Sequence, residues 1–430
     1  MQVGDTIMAL SSGALPSGVA VIRLSGPLVR SSLEALAGGV PEPRLMALRS
    51  IGSGRRLDQG LVVFFPGPHS FTGEDSAELH VHGSAAGVKA ILAELRERGL
   101  RLAEAGEFTR RAFENGKLDL LAVEGLGDLL AADTEKQRQQ ALARYDGRLT
   151  REIEHWRETL LDLRAEIEAR LDFSDESDVA EDLPADWLMQ LSALEIAIAG
   201  ALASVDSGRI VREGIRVALA GAPNVGKSSL LNALAKSDIA IVSEEAGTTR
   251  DVREMPLDID GQLFVLLDLA GLRATESLAE AEGVRRAQQA IESADIVLWL
   301  KAPDIADADR PTHAARMLVV GTKADIGVVP DTELALSTRT GAGLDDLVAR
   351  LRMLAQSLAG GEPALLSHER DRDSLSQALD ALAEARAALG NWELAAESLR
   401  RASSALERLI GRLDAEKVLD RLFASFCIGK

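Results

Sequence analysis

The stretch GAPNVGKS, Gly221 to Ser228, constrains the fold of this chain more than any other. It matches G-x-x-x-x-G-K-[ST] and lies between the apolar run IRVALA and the helical run SSLLNALAK. A glycine-rich loop between a strand and a helix turns its backbone N–H groups, and the helix N-terminus, toward phosphate oxygens. Asn224, Val225 and Gly226 supply the loop. Lys227 is expected to reach the β- and γ-phosphates, Ser228 to hold Mg²⁺, and Ser229 to join the GTP contacts at the helix start. A chance glycine-rich turn is the competing explanation, and the flanking strand and helix count against it.

The surroundings extend this reading. QLFVLLDLAG, ADIVLWL and RMLVVGTKAD are apolar runs separated by helical stretches, which implies a parallel sheet with crossover helices. Asp268, Leu269, Ala270 and Gly271 close the first run. The aspartate suits a place beside Mg²⁺, and the glycine N–H suits the γ-phosphate. Thr322, Lys323, Ala324 and Asp325 close the last. A carboxylate at Asp325 can accept from both N1–H and the exocyclic amine of guanine, a pattern adenine lacks, so GTP and GDP are favoured over ATP. Asparagine is commoner than Thr322 at that position, and modest base affinity is expected. Ser337, Thr338 and Arg339 would close over the base. SEEAGTTRD, residues 243–251, occupies the place of a switch segment, with Thr249 as a further Mg²⁺ ligand. Leu272 stands where many GTPases carry a water-orienting glutamine, and a leucine cannot do that work.

Composition narrows the class. A net charge of −19 argues against a broad grip on nucleic acid, DNA included, and leaves a local basic site open. One cysteine excludes an internal disulfide framework and a thiolate-only zinc site, and fits a cytoplasmic protein. The N-terminus has no charged and apolar leader, and no uninterrupted apolar run approaches the ~20 residues of a spanning helix, so no membrane is expected. GVAVIRLSG and LDQGLVVFFPGP read as strands and GSAAGVKAILAELRERG as a helix. REIEHWRETLLDLRAEIEARLDF and WLMQLSALEIAIAGALASV read as long amphipathic helices. The expected organisation is multidomain α/β plus all-α. An α+β domain covers 1–118, a discontinuous helical domain covers 119–210 and 362–430, and a Ras-like P-loop domain covers 211–361. The interval from Lys301 to Arg316 is short for a crossover helix.

GAPNVGKSS, EEAGTTRD, DLAGLR, SFTGEDSAELHVHG, GEFTRRAFENGKLDL and a terminal FCIGK occur in this order. Together they resemble the MnmE (TrmE) family of tRNA-modification GTPases over essentially the whole chain. The resemblance implies an N-terminal domain that binds formyl-tetrahydrofolate and holds a homodimer, a helical domain, and an inserted G domain. It implies a heterotetramer with an FAD-containing MnmG-like partner, which installs an aminomethyl-type group on the wobble uridine of certain tRNAs. It further implies K⁺-dependent hydrolysis when two G domains meet, with GTP-site contacts from Ser243, Glu244, Glu245, Ala246, Gly247 and Thr248. Of these, Ser243, Glu245 and Thr248 would join Asn224 as K⁺ ligands. The cation would replace an arginine finger. Glu280, by its spacing to EGVRRA, is similar to the water-orienting glutamate, with Glu282 and Glu276 as rivals. Each is otherwise a helix-start glutamate favoured by the helix dipole. Leu269, where the family usually has threonine, and the STR loop depart from the family pattern.

The same resemblance makes Arg23, Glu78, Lys117 and Lys430 folate contacts and Cys427 a residue required for modification. Read alone, Glu78 is a strand-surface charge, Lys117 a loop cation and Cys427 a buried thiol. A prenylation signal fits poorly, because Ile428-Gly429 is a weak aliphatic pair and Lys430 an unusual terminal residue. His80 and His82 share a strand face, with His69 nearby, without completing a zinc set, so fold-specific packing or hydrogen bonding is the expected role. A ribosome-assembly switch would need neither the N-terminal motifs nor FCIGK. A folate transferase with a vestigial nucleotide domain would not need Lys227, Ser228 and Asp325.

Overall fold

The computed structural model describes residues 4–172, 182–241, 253–268, 288–307, 310, 316–360, 364–413, 416–424, 426 and 429. In chain order these form β1 (Ile7–Leu10), β2 (Ser17–Ser25), α1 (Val29–Ala37), β3 (Ala47–Ile51), β4 (Asp58–Phe65), β5 (Ser76–Gly83), α2 (Ala85–Glu97), β6 (Arg101–Leu102) and α3 (Glu107–Glu114). Then come α4 (Leu120–Leu130), α5 (Glu135–Tyr145), α6 (Arg148–Asp172), α7 (Trp187–Glu213), β7 (Ile215–Gly221), α8 (Lys227–Ala235), β8 (Arg253–Ile259) and β9 (Gln262–Asp268). The chain continues with β10 (Ile296–Lys301), β11 (Met317–Gly321), β12 (Leu334–Ala335), α9 (Leu344–Ala359), α10 (Glu369–Ala387), α11 (Trp392–Leu409) and α12 (Glu416–Ala424).

Two compact units emerge. The first joins residues 1–127, 145–157 and 403–430; the second joins 128–144 and 158–402. In the first, a six-stranded sheet runs β3-β4-β5-β2-β1-β6, antiparallel except for the β1–β6 pair. Leu79 and Val81 on β5 are buried with Ile22, Phe64, Ile91 and Leu95. The period of two turns Glu78, His80 and His82 to the other face. The C-terminal helix α12 buries Phe423 and Phe426 against Leu120 and Val123 of α4, with the rings 5.7 Å apart. Gly106, at φ 67°, is required there: a Cβ would come within 2.5 Å of the Phe423 ring. Burying one such ring contributes about 1.5–3 kcal/mol.

In the second unit the sheet runs β12-β11-β10-β7-β9-β8, parallel except for the β8–β9 pair. Its strands β7, β9, β10 and β11 are those expected from the apolar runs. Strand β8 escapes such reading because Pro256 and its charges break the pattern; proline is tolerated there because β8 is an edge strand. Part of the short interval after β10, residues 308–309 and 311–315, lies outside the described residues.

Helix α7 bears on the expectation that no run is long and apolar enough to span a membrane. By length and composition alone it is long and apolar enough to cross a membrane. Gln190, Ser192 and Glu195 interrupt the apolar run, yet the helix stays apolar on average. Trp187, Leu191, Leu194 and Ile198 are buried within the unit, Trp187 Nε1 donates to the Leu163 carbonyl at 3.0 Å, and Glu195 pairs with Arg386 at 2.6 Å. Helix α7 ends at Glu213, Gly214 caps it, and β7 begins at the next residue. Nearby, the fully buried Arg144 donates to the Leu365 carbonyl at 2.6 Å and to Asp371 at 3.0 Å. Burial pushes the Asp371 carboxyl up, but the charges of Arg144, Arg370 and His368 outweigh it and hold it well below the usual range.

Candidate functional site

Strand β7 delivers the phosphate loop. Gly221 closes it at φ 134°, where a Cβ would lie 2.4 Å from the Leu300 carbonyl oxygen. Asn224 (φ 62°) and Gly226 (φ 110°) take left-handed or related backbone conformations, which asparagine and glycine tolerate best. Such alternation of backbone hand turns successive N–H groups to one side and makes an anion-binding concavity. Helix α8 starts at Lys227, immediately after Gly226. The Lys227 ammonium donates to the carbonyls of Gly221 and Ala222 at 2.8 and 2.9 Å, so its charge lies at the mouth of the loop. Val225 is buried beneath the loop and Ser229 is exposed on the first turn of α8.

Asp268 reaches the same place from the next strand. The parallel register pairs Leu219 of β7 with Asp268 of β9. The Ser228 hydroxyl donates to Asp268 Oδ2 at 3.3 Å. A hydroxyl and a carboxylate so placed are hard oxygen donors of the kind Mg²⁺ takes, so the residues present fit that ion.

Strand β11 carries the third part. Thr322 is 2% exposed, and its hydroxyl lies 2.5 Å from the Val225 carbonyl oxygen and 3.0 Å from that of Lys301. Lys323 turns left-handed (φ 54°) and pairs with Asp304 at 2.7 Å. The Ala324 N–H donates to the Leu336 carbonyl at 3.1 Å, and the Ser337 hydroxyl donates to Asp325 Oδ1 at 2.6 Å. That hydrogen bond, aided by Arg339 at 3.7 Å, holds the Asp325 carboxyl below its ordinary range.

A second polar cluster occupies the sheet of the first unit. Arg23 of β2 faces Glu78 of β5 in register, and Nε and Nη2 donate to Glu78 Oε1 at 3.1 and 3.0 Å. Glu78 Oε2 lies 3.1 Å from His80 Nε2. Arg23 Nη1 and the Ser11 hydroxyl both donate to the carbonyl of Gly429, at 3.2 and 3.1 Å. The tail reaches this point behind α12, where Arg110 pairs with Asp420 at 2.6 Å and lies over the Phe423 ring. Lys117 is exposed after α3 and, among the described residues, is not hydrogen-bonded to Arg23 or Glu78. His82 pairs with Asp58 at 2.8 Å, and the described residues include no cluster of three or more metal-ligating side chains.

The MnmE helical-domain model matches residues 120–427, and the model of the GTP-binding protein TrmE N-terminus matches residues 6–117. A tRNA modification GTPase MnmE from Azorhizobium caulinodans is 50% identical over 436 residues, covering 99% of each chain. The chain belongs to the MnmE family of tRNA modification GTPases. MnmE proteins from Rhizobium meliloti and Rhizobium etli are each 48% identical, covering 99% and 100% of both chains respectively. The architecture is accordingly an N-terminal TrmE domain, a helical domain and a P-loop domain carried on the second sheet.

Several residues expected from MnmE motifs lie outside the described residues: Ser243 to Thr249, Leu269 to Gly271, Glu280, Cys427 and Lys430. The structure brings together Lys227, Ser228 and Asp268, then Thr322 with Val225, then Asp325, Ser337 and Arg339, and separately Arg23, Glu78 and the tail. Motif reading gave no part to Ser11, Arg110 or the Gly429 carbonyl. Arg110 stands inside GEFTRRAFENGKLDL, but its partner Asp420 is 310 residues away, and the Gly429 carbonyl is 406 residues from Arg23, so neither leaves a local signal.

Proposed function

We propose that this chain hydrolyses GTP at the site on β7 and couples that hydrolysis to wobble-uridine modification of tRNA. The observation that carries the reading is the convergence of Lys227, Ser228 and Asp268 at the ends of adjacent parallel strands. Lys227 binds the β- and γ-phosphates, the loop N–H groups orient them, and Ser228, Asp268 and Thr249 hold Mg²⁺, which supplies charge neutralisation when bound. Asp325 selects guanine. Asn224 with Ser243, Glu245 and Thr248 would hold K⁺, and Glu280 would orient the attacking water, since Leu272 cannot. Two copies of the chain bring their 211–361 domains together to complete the site, and an FAD-containing MnmG-like protein joins them in the cytoplasm.

The N-terminal domain takes formyl-tetrahydrofolate. Glu78, oriented by Arg23 on one oxygen and His80 on the other, retains acceptor capacity for an aminopyrimidine edge. Lys117 and Lys430 suit the glutamate tail, and Cys427 serves the modification step. GTP turnover in K⁺ against Na⁺ tests the hydrolytic half: K⁺ should be faster by roughly tenfold or more. Equal rates would remove the K⁺ mechanism. Unaltered wobble uridines in a strain lacking this gene would remove the link to tRNA.

A further inference from the structure

The base end of the nucleotide site departs from a two-sided reading of guanine at one residue, and the departure has a chemical consequence. Thr322 is buried, and its Oγ lies against two carbonyl oxygens, those of Val225 at 2.5 Å and Lys301 at 3.0 Å. A hydroxyl has one proton, and a carbonyl oxygen can only accept. That proton therefore goes to the protein. The contact ties the phosphate loop to the end of β11 and leaves Thr322 with no donor for a ligand. Its backbone N–H is also committed, to the Lys301 carbonyl at 2.7 Å. An asparagine side chain carries two N–H protons and could bond Val225 with one while offering the other to a purine ring nitrogen.

Two neighbouring donors are also engaged within the protein. The Lys323 ammonium is paired with both oxygens of Asp304, at 2.9 and 2.7 Å, and the Ala324 N–H is bonded to Leu336. Asp325 is an acceptor: its Oδ1 takes the Ser337 hydroxyl proton, its Oδ2 lies 3.7 Å from Arg339, and the carboxylate keeps lone pairs for donors such as N1–H and the exocyclic amine. Resting on the guanine reading proposed above, we infer that this chain recognises the base without reading N7, and that Thr322 is the residue that sets this one-edged specificity.

Competition binding of nucleotides to the full-length wild-type chain tests both parts. Inosine triphosphate lacks the exocyclic amine; 7-deaza-GTP replaces N7 by C–H. The inosine nucleotide should bind about tenfold or more weakly than GTP, whereas 7-deaza-GTP should match GTP within about twofold, the loss of one net hydrogen bond being worth about tenfold. Thr322→Asn should tighten GTP binding and create a penalty of about tenfold against 7-deaza-GTP. A clear loss on 7-deaza-GTP in the wild-type chain, with discrimination against inosine intact, overturns the N7 inference alone. Parity of inosine triphosphate with GTP overturns the guanine reading itself. The wild-type comparison decides the matter even where the variant fails to fold.

Discussion

The two polar sites are built in opposite ways. On β7 the chemistry rests on backbone: glycines and a left-handed asparagine present N–H groups, and the side chains that join them come from loops at the ends of neighbouring strands. Ser228 and Asp268 are 40 residues apart, Asp325 and Ser337 only 12. On the N-terminal sheet the chemistry rests on side chains brought together over 55 residues, from Arg23 to Glu78, and over 406, from Arg23 to Gly429. The first kind of site is written as contiguous motifs, because a loop must close on itself. The second depends on strand register and on how a C-terminal helix docks.

That contrast can be broken or sharpened by experiment. Lys227→Ala should have the largest effect, lowering GTP turnover by about 10²–10³, the scale of removing one preorganised donor from developing charge. Phosphate release under saturating GTP measures it, and near wild-type turnover would deny the loop its role. Glu78→Gln should weaken binding of a tetrahydrofolate derivative by roughly tenfold or more, as expected for a charge-assisted hydrogen bond. An equal loss of GTP affinity in calorimetry would show that the two sites are not separate.

Gly429→Ala addresses the tail itself. Gly429 adopts φ 98°, and a Cβ there would lie 2.7 Å from the Leu10 carbonyl oxygen. The substitution should cost about 1–2 kcal/mol in denaturant unfolding, the scale of forcing a side chain into that region. Unchanged stability would mean that the contact with Arg23 and Ser11 holds little. The smallest expected effect is on pH. In the proposed function Asp325 binds guanine as a carboxylate, and the Ser337 hydrogen bond lowers its folded pKa. GDP affinity should therefore stay level as pH falls from about 8 to about 5 and decline only below the ordinary aspartate value near ~3.9. Ser337→Ala removes the stabilising bond and should move that acid limb upward. A wild-type affinity that already fell between pH 7 and 5 would contradict the lowered pKa.

Much of this was legible before any coordinates. The phosphate loop, the aspartate ending β9 and the TKAD turn could be read because a parallel α/β sheet places loops at strand ends, and apolar runs mark those ends. The edge strand β8 could not be read, since Pro256 and its charged neighbours look like a loop until β9 supplies a partner. Helix α7 reads as amphipathic from its sequence, and single polar residues hide an average hydropathy that reaches that of a spanning segment.

The order of motifs determined the family, the nucleotide and the broad layout, since each motif encodes a local backbone geometry with its own short-range cause. Only the tertiary structure decided what Thr322 does. Its residue type marked a departure, but the two carbonyl oxygens that claim its single proton belong to Val225 and Lys301, on other elements. The same holds for the carbonyl of Gly429, which has no identity in sequence beyond its glycine. A hydrogen bond is a property of pairs, and long-range pairs exist only once the chain has folded.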